Sequence, residues 1–385
     1  MPQSIFDMIR AQDVAVYYTT MPQTEPPFLG DELFPAKKQL GMDLAYIKGA
    51  NNTQVALRPS AFDANVIPRG RQGFAEIKHS MPYYKESTYI DEEIRQKLLL
   101  VQSSNNPAYQ DVIVNNIFNN VTQLVTSAQI SREIVRMQAL TTGYATISGN
   151  GTSYVIDFDM PASNRVAAKV AWDQAKSNPL TDIKNAKRAI SYATGQTITR
   201  AVVNQTTWDA LLANETIKAT LLVNNANTAN AMVLDPQLQS FLQSNTGIQF
   251  VVYDKGYKDV NNAFHQYIPD GVVAFLPGQS LGSTWFGTTP EEADLMGISN
   301  IANVAMVDTG VAITTMAKAE PVNVETKVSQ LTLPSFEMAD SVYVLSGVVT
   351  PATDDSSTTN TGATSSAASS GSAAASGASS SAPKA

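Results

Sequence analysis

The chain has 385 residues, 43% of them apolar, enough to bury a large core divided among two or three lobes. Twenty-six Lys and Arg against thirty-four Asp and Glu leave a net charge of -8, the wrong sign for a protein that grips phosphates over a wide surface. Cysteine is absent, which excludes disulfides, thiolate zinc sites and a cysteine nucleophile, and no apolar run is long enough to predict a membrane span or a secretory leader.

Residues 1 to about 50 carry Pro2, Pro22, Pro26, Pro27 and Pro35 among short apolar bursts, which predicts an extended arm that needs something to lie against. From Val55 to Tyr89 the pattern is that of a ribbon, with Ala75, Ile77 and His79 on one side and Phe74, Glu76 and Lys78 on the other. Neither side reads as apolar enough for a core face. Arg58, Arg69, Arg71, Lys78 and Lys85 make a local positive strip here, interrupted by Glu76 and Glu86. A ribbon of this kind gains stability by lying on another molecule, so a partner surface is preferred to a DNA finger or an idle hairpin.

Pro107 opens the strongest helical signal, in which Ile113, Ile117, Val121, Leu124, Ala128 and Val135 recur near the 3.6 period until Gly143. At 1.5 Å per residue this is roughly 50 Å of helix. It is rich in Val, Ile, Asn and Thr, indifferent helix formers, so packing must hold it. YATISGNGTSYVIDF then predicts a hairpin turning at Gly149-Asn150-Gly151.

An α/β lobe is predicted next: a helix from about Leu180 to Ala193 stopped by Gly195, the strand ITRAVVN, a helix from about Trp208 to Leu222, and the strands IQFVVYD and GVVAFLP. Alternation returns from Gly310 to Val349. These late strands are expected to pair with the early hairpin beside the long helix, giving an α+β lobe interrupted by an inserted one. From Ser356 to Ala385 all but three residues are Ser, Thr, Ala or Gly, a composition that predicts a flexible tail.

Motifs with chemical potential read as structural. GQSLG, Gly278 to Gly282, matches the nucleophile elbow, but that fold needs a helix after Ser280 and a later histidine. STWFGTT looks extended, and His79 and His265 both come earlier, so a loop between strands is expected. Asp157 and Asp159 are expected on one face of a short strand, and Glu291 and Glu292 in the solvated first turn of a helix. Metal-ligand spacing and a phosphate loop are both missing, so no catalytic residue, metal or cofactor is expected.

Three stretches carry a resemblance: AYIKGANNTQVALRPSAFDANVIPRGR leading into GFAEIKHSMPYYKEST, NPAYQDVIVNN followed by ISREIVRMQALTTGYATI, and LPSFEMADSVYVL. In this order, from about Leu33 to Val349, they resemble the major capsid proteins of tailed bacteriophages, in the lambda-like capsid protein E branch of the Hong Kong 97-type fold. The resemblance implies an α+β architecture: an N-terminal arm (1–54), an E-loop (55–90), a P-domain (91–164 and 306–349) built on a spine helix at about 107–142 with a β-sheet, an A-domain (165–305), and a disordered tail (350–385).

It also implies a virion protein, assembled in the host bacterial cytoplasm, whose hexamers and pentamers close into an icosahedral head around double-stranded DNA, without sequence-specific binding and without a membrane. Implied partners are further copies, a portal protein, a separate scaffolding protein, since no long charged helical segment precedes the arm, and a decoration protein. The E-loop residues implied in contact between subunits are Arg58, Arg69, Arg71, Phe74, Lys78, Tyr83, Tyr84 and Lys85. Lys78 and Lys85 occupy positions comparable to a crosslinking lysine of related phages, but the lambda-like branch generally lacks that bond and none is expected. The rival readings are an encapsulin-like nanocompartment shell and a serine hydrolase at Ser280.

Overall fold

The computed structural model describes residues 10–21, 27–48, 62, 65, 75–90, 92–103, 107–149, 151–221, 233–295, 302–320 and 322–351. Arg58, Arg69, Arg71 and Phe74, with the tail from residue 352 onward, lie outside the described residues.

The N-terminal region contains helix α1 (Ala11–Thr20) and the short α2 (Leu29–Leu33), then strands β1 (Ala36–Lys38) and β2 (Asp43–Lys48). An arm extended throughout was expected. Instead α1 buries Ala11, Val14 and Tyr18, one apolar stripe at helical spacing, against the long helix and the main sheet. Strands β3 (Ala75–Ser80) and β4 (Tyr83–Ile90) follow, then helices α3 (Glu92–Ser103) and α4 (Pro107–Thr142). The 36 residues of α4 match the expected spine. Ile117, Val121, Ala128 and Val135 are buried along it, and Ile113 and Leu124 are partly buried, as the period requires. Beyond it β5 (Tyr144–Gly149) and β6 (Thr152–Asp157) form the predicted hairpin, with Gly151 at φ +78° in its turn.

The next lobe holds β7 (Arg165–Ala167), α5 (Pro179–Thr194), β8 (Ile198–Val203), α6 (Gln205–Ala213), α7 (Glu215–Leu221), α8 (Asp235–Thr246), β9 (Gln249–Val252), β10 (Gly256–Lys258), β11 (Phe264–Gln266) and β12 (Val273–Pro277). Gly195 ends α5 in the left-handed region at φ 72°, as expected. The single helix expected around Trp208 to Leu222 is two, because Asn214 leaves helical geometry and its side chain accepts the Ile217 N–H at 3.1 Å, capping α7. Helix α8 has no counterpart in the sequence reading, since DPQLQSFLQSNT buries little more than Leu238 and Leu242.

The last strands are β13 (Ser283–Phe286), β14 (Asn303–Val307), β15 (Val311–Ala319), β16 (Val322–Ser335) and β17 (Tyr343–Ser346). A six-stranded sheet runs β1-β13-β16-β15-β14, with β4 also on β16. Late strands thus do pair with the early β4, and α4 packs on this sheet: Gln330 Nε2 donates to Ala128 O at 2.9 Å. The second sheet runs β7-β17-β12-β8-β9, so β17 leaves the other returning strands to join the α/β lobe, while β13 joins the first sheet. The core of the lobe gathers Trp172, Ile183, Ile190, Trp208, Leu242 and Phe275. Among the described residues no helix is long and apolar enough to cross a membrane.

Candidate assembly surface

The ribbon is rooted twice in the body. Residues 43–48 of β2 pair antiparallel with residues 75–80 of β3, and β4 lies along β16 through eight pairs, from Tyr83 with Leu331 to Ile90 with Val324. Directly paired residues share a face. Leu44 with His79 and Tyr46 with Ile77 therefore face the same way; Leu44 and Tyr46 are buried and Ile77 packs against the main core. This corrects the expectation of a ribbon with no core face: at its root, the partner strand β2 supplies the missing apolar residues. Burial pushes the His79 imidazole below its usual pKa, against weaker opposing effects of Asp157. The other face stays open, with Ile47, Glu76 and Lys78 exposed.

The four implied contact residues that are described fall into two groups. Lys78 and Lys85 project outward: Lys78 pairs with neighbouring Glu76 at 3.2 Å, and the Lys85 ammonium lies 5.7 Å from the Tyr83 ring centre. Tyr84 is opposite Gln330, hence on the side that faces α4; burial pushes its phenol well above the usual range, and its hydroxyl has no partner among the described residues. Tyr83 is tied down within its own subunit, donating to Glu291 Oε1 at 2.6 Å. Its phenol is pushed up by burial first and by the Glu291 carboxylate second.

Glu291 overturns its expected place in a solvated first turn. It is buried, in a π-helical turn at Glu291–Leu295, and also accepts from Ser329 Oγ at 2.9 Å and from Lys327 Nζ. Burial pushes its carboxyl up, but hydrogen bonds from Lys327 and Tyr83 hold it below the usual carboxylate range. Sequence separation hid this arrangement: Tyr83 lies 208 positions away.

The arm is clasped where α2 crosses α4. Glu133, fully buried, accepts the Gly30 N–H at 3.1 Å and the Tyr253 hydroxyl at 2.8 Å, and lies 3.5 Å from Arg136. Arg136 reaches Asp31 at 2.7 Å, and Arg200 of β8 holds Glu32 at 2.6 Å. Further along, the buried Lys48 lies 2.8 Å from Asp159 and 3.1 Å from Asp340. Asp159 stands beyond the end of β6 at φ 56°, with its N–H donating to Asp157 Oδ1 at 2.8 Å, so the DFD carboxylates do not share a strand face. They engage the arm and the local turn instead.

Ser280 is exposed in the connection from β12 to β13, two strands. The helix that a nucleophile elbow requires is not there. Among the described residues no group of three His, Asp or Glu is arranged to hold a metal ion.

The profile of the family described as phage major capsid protein E matches residues 10–344. Among solved structures, the chain resembles a protein from Escherichia coli CFT073 assigned as a prophage capsid protein, with TM-score 0.56 and 13% identity over 88% of this chain and 99% of that one. It also resembles a phage-related protein from Bordetella bronchiseptica RB50, with TM-score 0.54 and 13% identity over 89% of this chain and 99% of the other. At such identity the two structures speak for the fold, and the family match carries the role. The chain belongs to the phage major capsid protein E family: it is a structural subunit of the icosahedral head of a tailed phage, and not an enzyme.

Proposed function

We propose that the head is built from hexamers and pentamers in which residues 1–54 act as an arm and residues 55–90 as an E-loop draped over neighbouring copies. Residues 91–164 and 306–349 then serve as the P-domain and residues 165–305 as the A-domain. The observation that carries this reading is the double rooting of the ribbon by β2–β3 and β4–β16, with Ile47, Glu76 and Lys78 left uncovered on the outer face. A segment anchored at both strands and bare on one side is suited to lie on a second molecule, and contacts repeated around many copies add up even when each is modest.

In this arrangement Lys78 and Lys85, with Arg58, Arg69, Arg71 and Phe74 outside the described residues, face acidic groups of the next subunit. Tyr83 and Tyr84 serve from within, by fixing the root. The net charge of -8 suits a wall that encloses double-stranded DNA without gripping it. A portal protein, a separate scaffolding protein and a decoration protein complete the proposed set of partners.

Deleting residues 66–73, which keeps β3 and its pairing with β2 and removes Arg69 and Arg71, tests the reading. The variant is expected to remain folded by circular dichroism and to form no closed particles by electron microscopy. Normal shells from it would refute the contact role.

A further inference from the structure

The turn after β13 holds both outlying segments at once. Glu291 takes the hydroxyl of Tyr83, the first residue of β4, just where the ribbon returns to the body. Its neighbour Glu292 pairs with the ammonium of Lys38, the last residue of β1 in the arm. Two consecutive carboxylates on one turn therefore grip two segments that also meet through β2 and β3. The turn is π-helical, a form that is rare and concentrated at functional positions.

The energetic setting makes the grip on the ribbon directional. Glu291 is 4% exposed and satisfied by one cation and two hydroxyls, so moving Tyr83 away would leave a buried carboxylate short of a donor. Lys327 and Ser329 lie on β16, the strand along which β4 is paired, so Glu291 bridges the start of β4 to the same sheet. Glu292 depends on Lys38 for its pairing, since its Oε2 has no hydrogen-bond partner among the described residues.

We propose that Glu291 and Glu292 are positioning residues for shell assembly, coupling the angle at which the ribbon leaves the subunit to the seat of the N-terminal arm. The proposal rests on the ribbon's contact role given above. Removing either grip leaves the ribbon paired to β16 but free to swing about its root.

The chain contains no cysteine, so Asn65→Cys and Tyr192→Cys, both at exposed positions, give two clean sites for spin labels. Tyr83→Phe removes one hydroxyl and keeps the ring; Lys38→Met keeps the aliphatic stem. In unassembled subunits that remain folded by circular dichroism, each is expected to broaden the distribution of distances between positions 65 and 192. Each should raise the subunit concentration for half-maximal shell formation about tenfold, equivalent to about 1.4 kcal/mol. The pair together should raise it by less than the product of the two.

Deletion of residues 66–73, run in parallel, separates the two readings. Shells from the deletion variant would overturn the contact role and this proposal with it. Loss of shells on deletion, with parental distances and assembly in Tyr83→Phe and Lys38→Met, would overturn the coupling alone.

Discussion

Gly30 donates its N–H to Glu133 Oε1 across 3.1 Å, and a Cβ placed at position 30 would overlap Glu133 Oε2 and press on the Arg136 side chain. The arm can cross the spine helix this closely only because residue 30 has no side chain. Gly30→Ala is expected to cost about 1–3 kcal/mol, the usual range for overpacking a closed site. Urea unfolding of the unassembled subunit measures it, and a neutral result would show that the arm can lift off Glu133 without loss.

The Glu133 carboxyl is pushed above its usual range, by burial first, against Arg136, the Tyr253 hydroxyl and the Gly30 N–H, which pull it down. Between its unfolded and folded pKa values the native state therefore holds the extra proton. Its contribution is fully present below the unfolded value and is lost as pH rises through the raised one. Glu133→Gln, which keeps the shape and cannot ionise, should gain on the wild type as pH increases over that window. Parallel stability curves against pH would contradict this.

Glu291 has the opposite sign. Its folded pKa is lowered despite burial, so it stabilises above the unfolded value and loses that contribution as pH falls through the folded one. Glu291→Gln should consequently flatten the acid limb of the stability curve, measured by thermal unfolding at a series of pH values. An unchanged acid limb would mean that Lys327 and Tyr83 do not hold the ionised form.

Lys78 and Lys85 are expected to act on assembly alone. The Lys78 side chain is 68% exposed, and its pairing with Glu76 is of the kind that contributes little to folding. Reversing both charges to Glu should shift subunit stability by no more than about 0.5 kcal/mol. It should nevertheless suppress particle formation, with the deficit shrinking as salt is added. Light scattering follows assembly; particles forming at the parental rate at low salt would show that both lysines are merely solvated.

Trp172 is fully buried in the core of the α/β lobe and donates its Nε1–H to Asp182 Oδ2 at 3.1 Å. Trp172→Ala should cost about 3–5 kcal/mol. Near-ultraviolet dichroism and urea unfolding would register it, and a loss below about 1 kcal/mol would mean that the lobe collapses around the vacancy.

Local chemistry explains which elements were legible in the sequence. The spine helix α4, the β5–β6 hairpin and the end of α5 are written in short-range signals: a 3.6 period ended by Gly143, a glycine-framed turn, and Gly195 in the left-handed region. Helix α1 was hidden, because its stripe of Ala11, Val14 and Tyr18 is brief and stands among prolines that favour extended chain. The buried role of Glu291 was not legible at all, since an acidic residue after proline ordinarily means a solvated helix start. Only the fold brings Tyr83, Lys327 and Ser329 to it. The core face of the ribbon root was missed for a related reason: it is contributed by β2, some thirty residues earlier in the chain.

Strand β16 runs for 14 residues and takes β4 along one stretch and β13 along the next. Tension applied along β4 by a neighbouring copy is thus borne by eight paired positions in shear at the same time, instead of opening them one after another like a zipper. A container that swells under the pressure of its contents pulls its tiles apart along such tethers, and the tether proposed here is sewn lengthwise into one of the long seams of the tile.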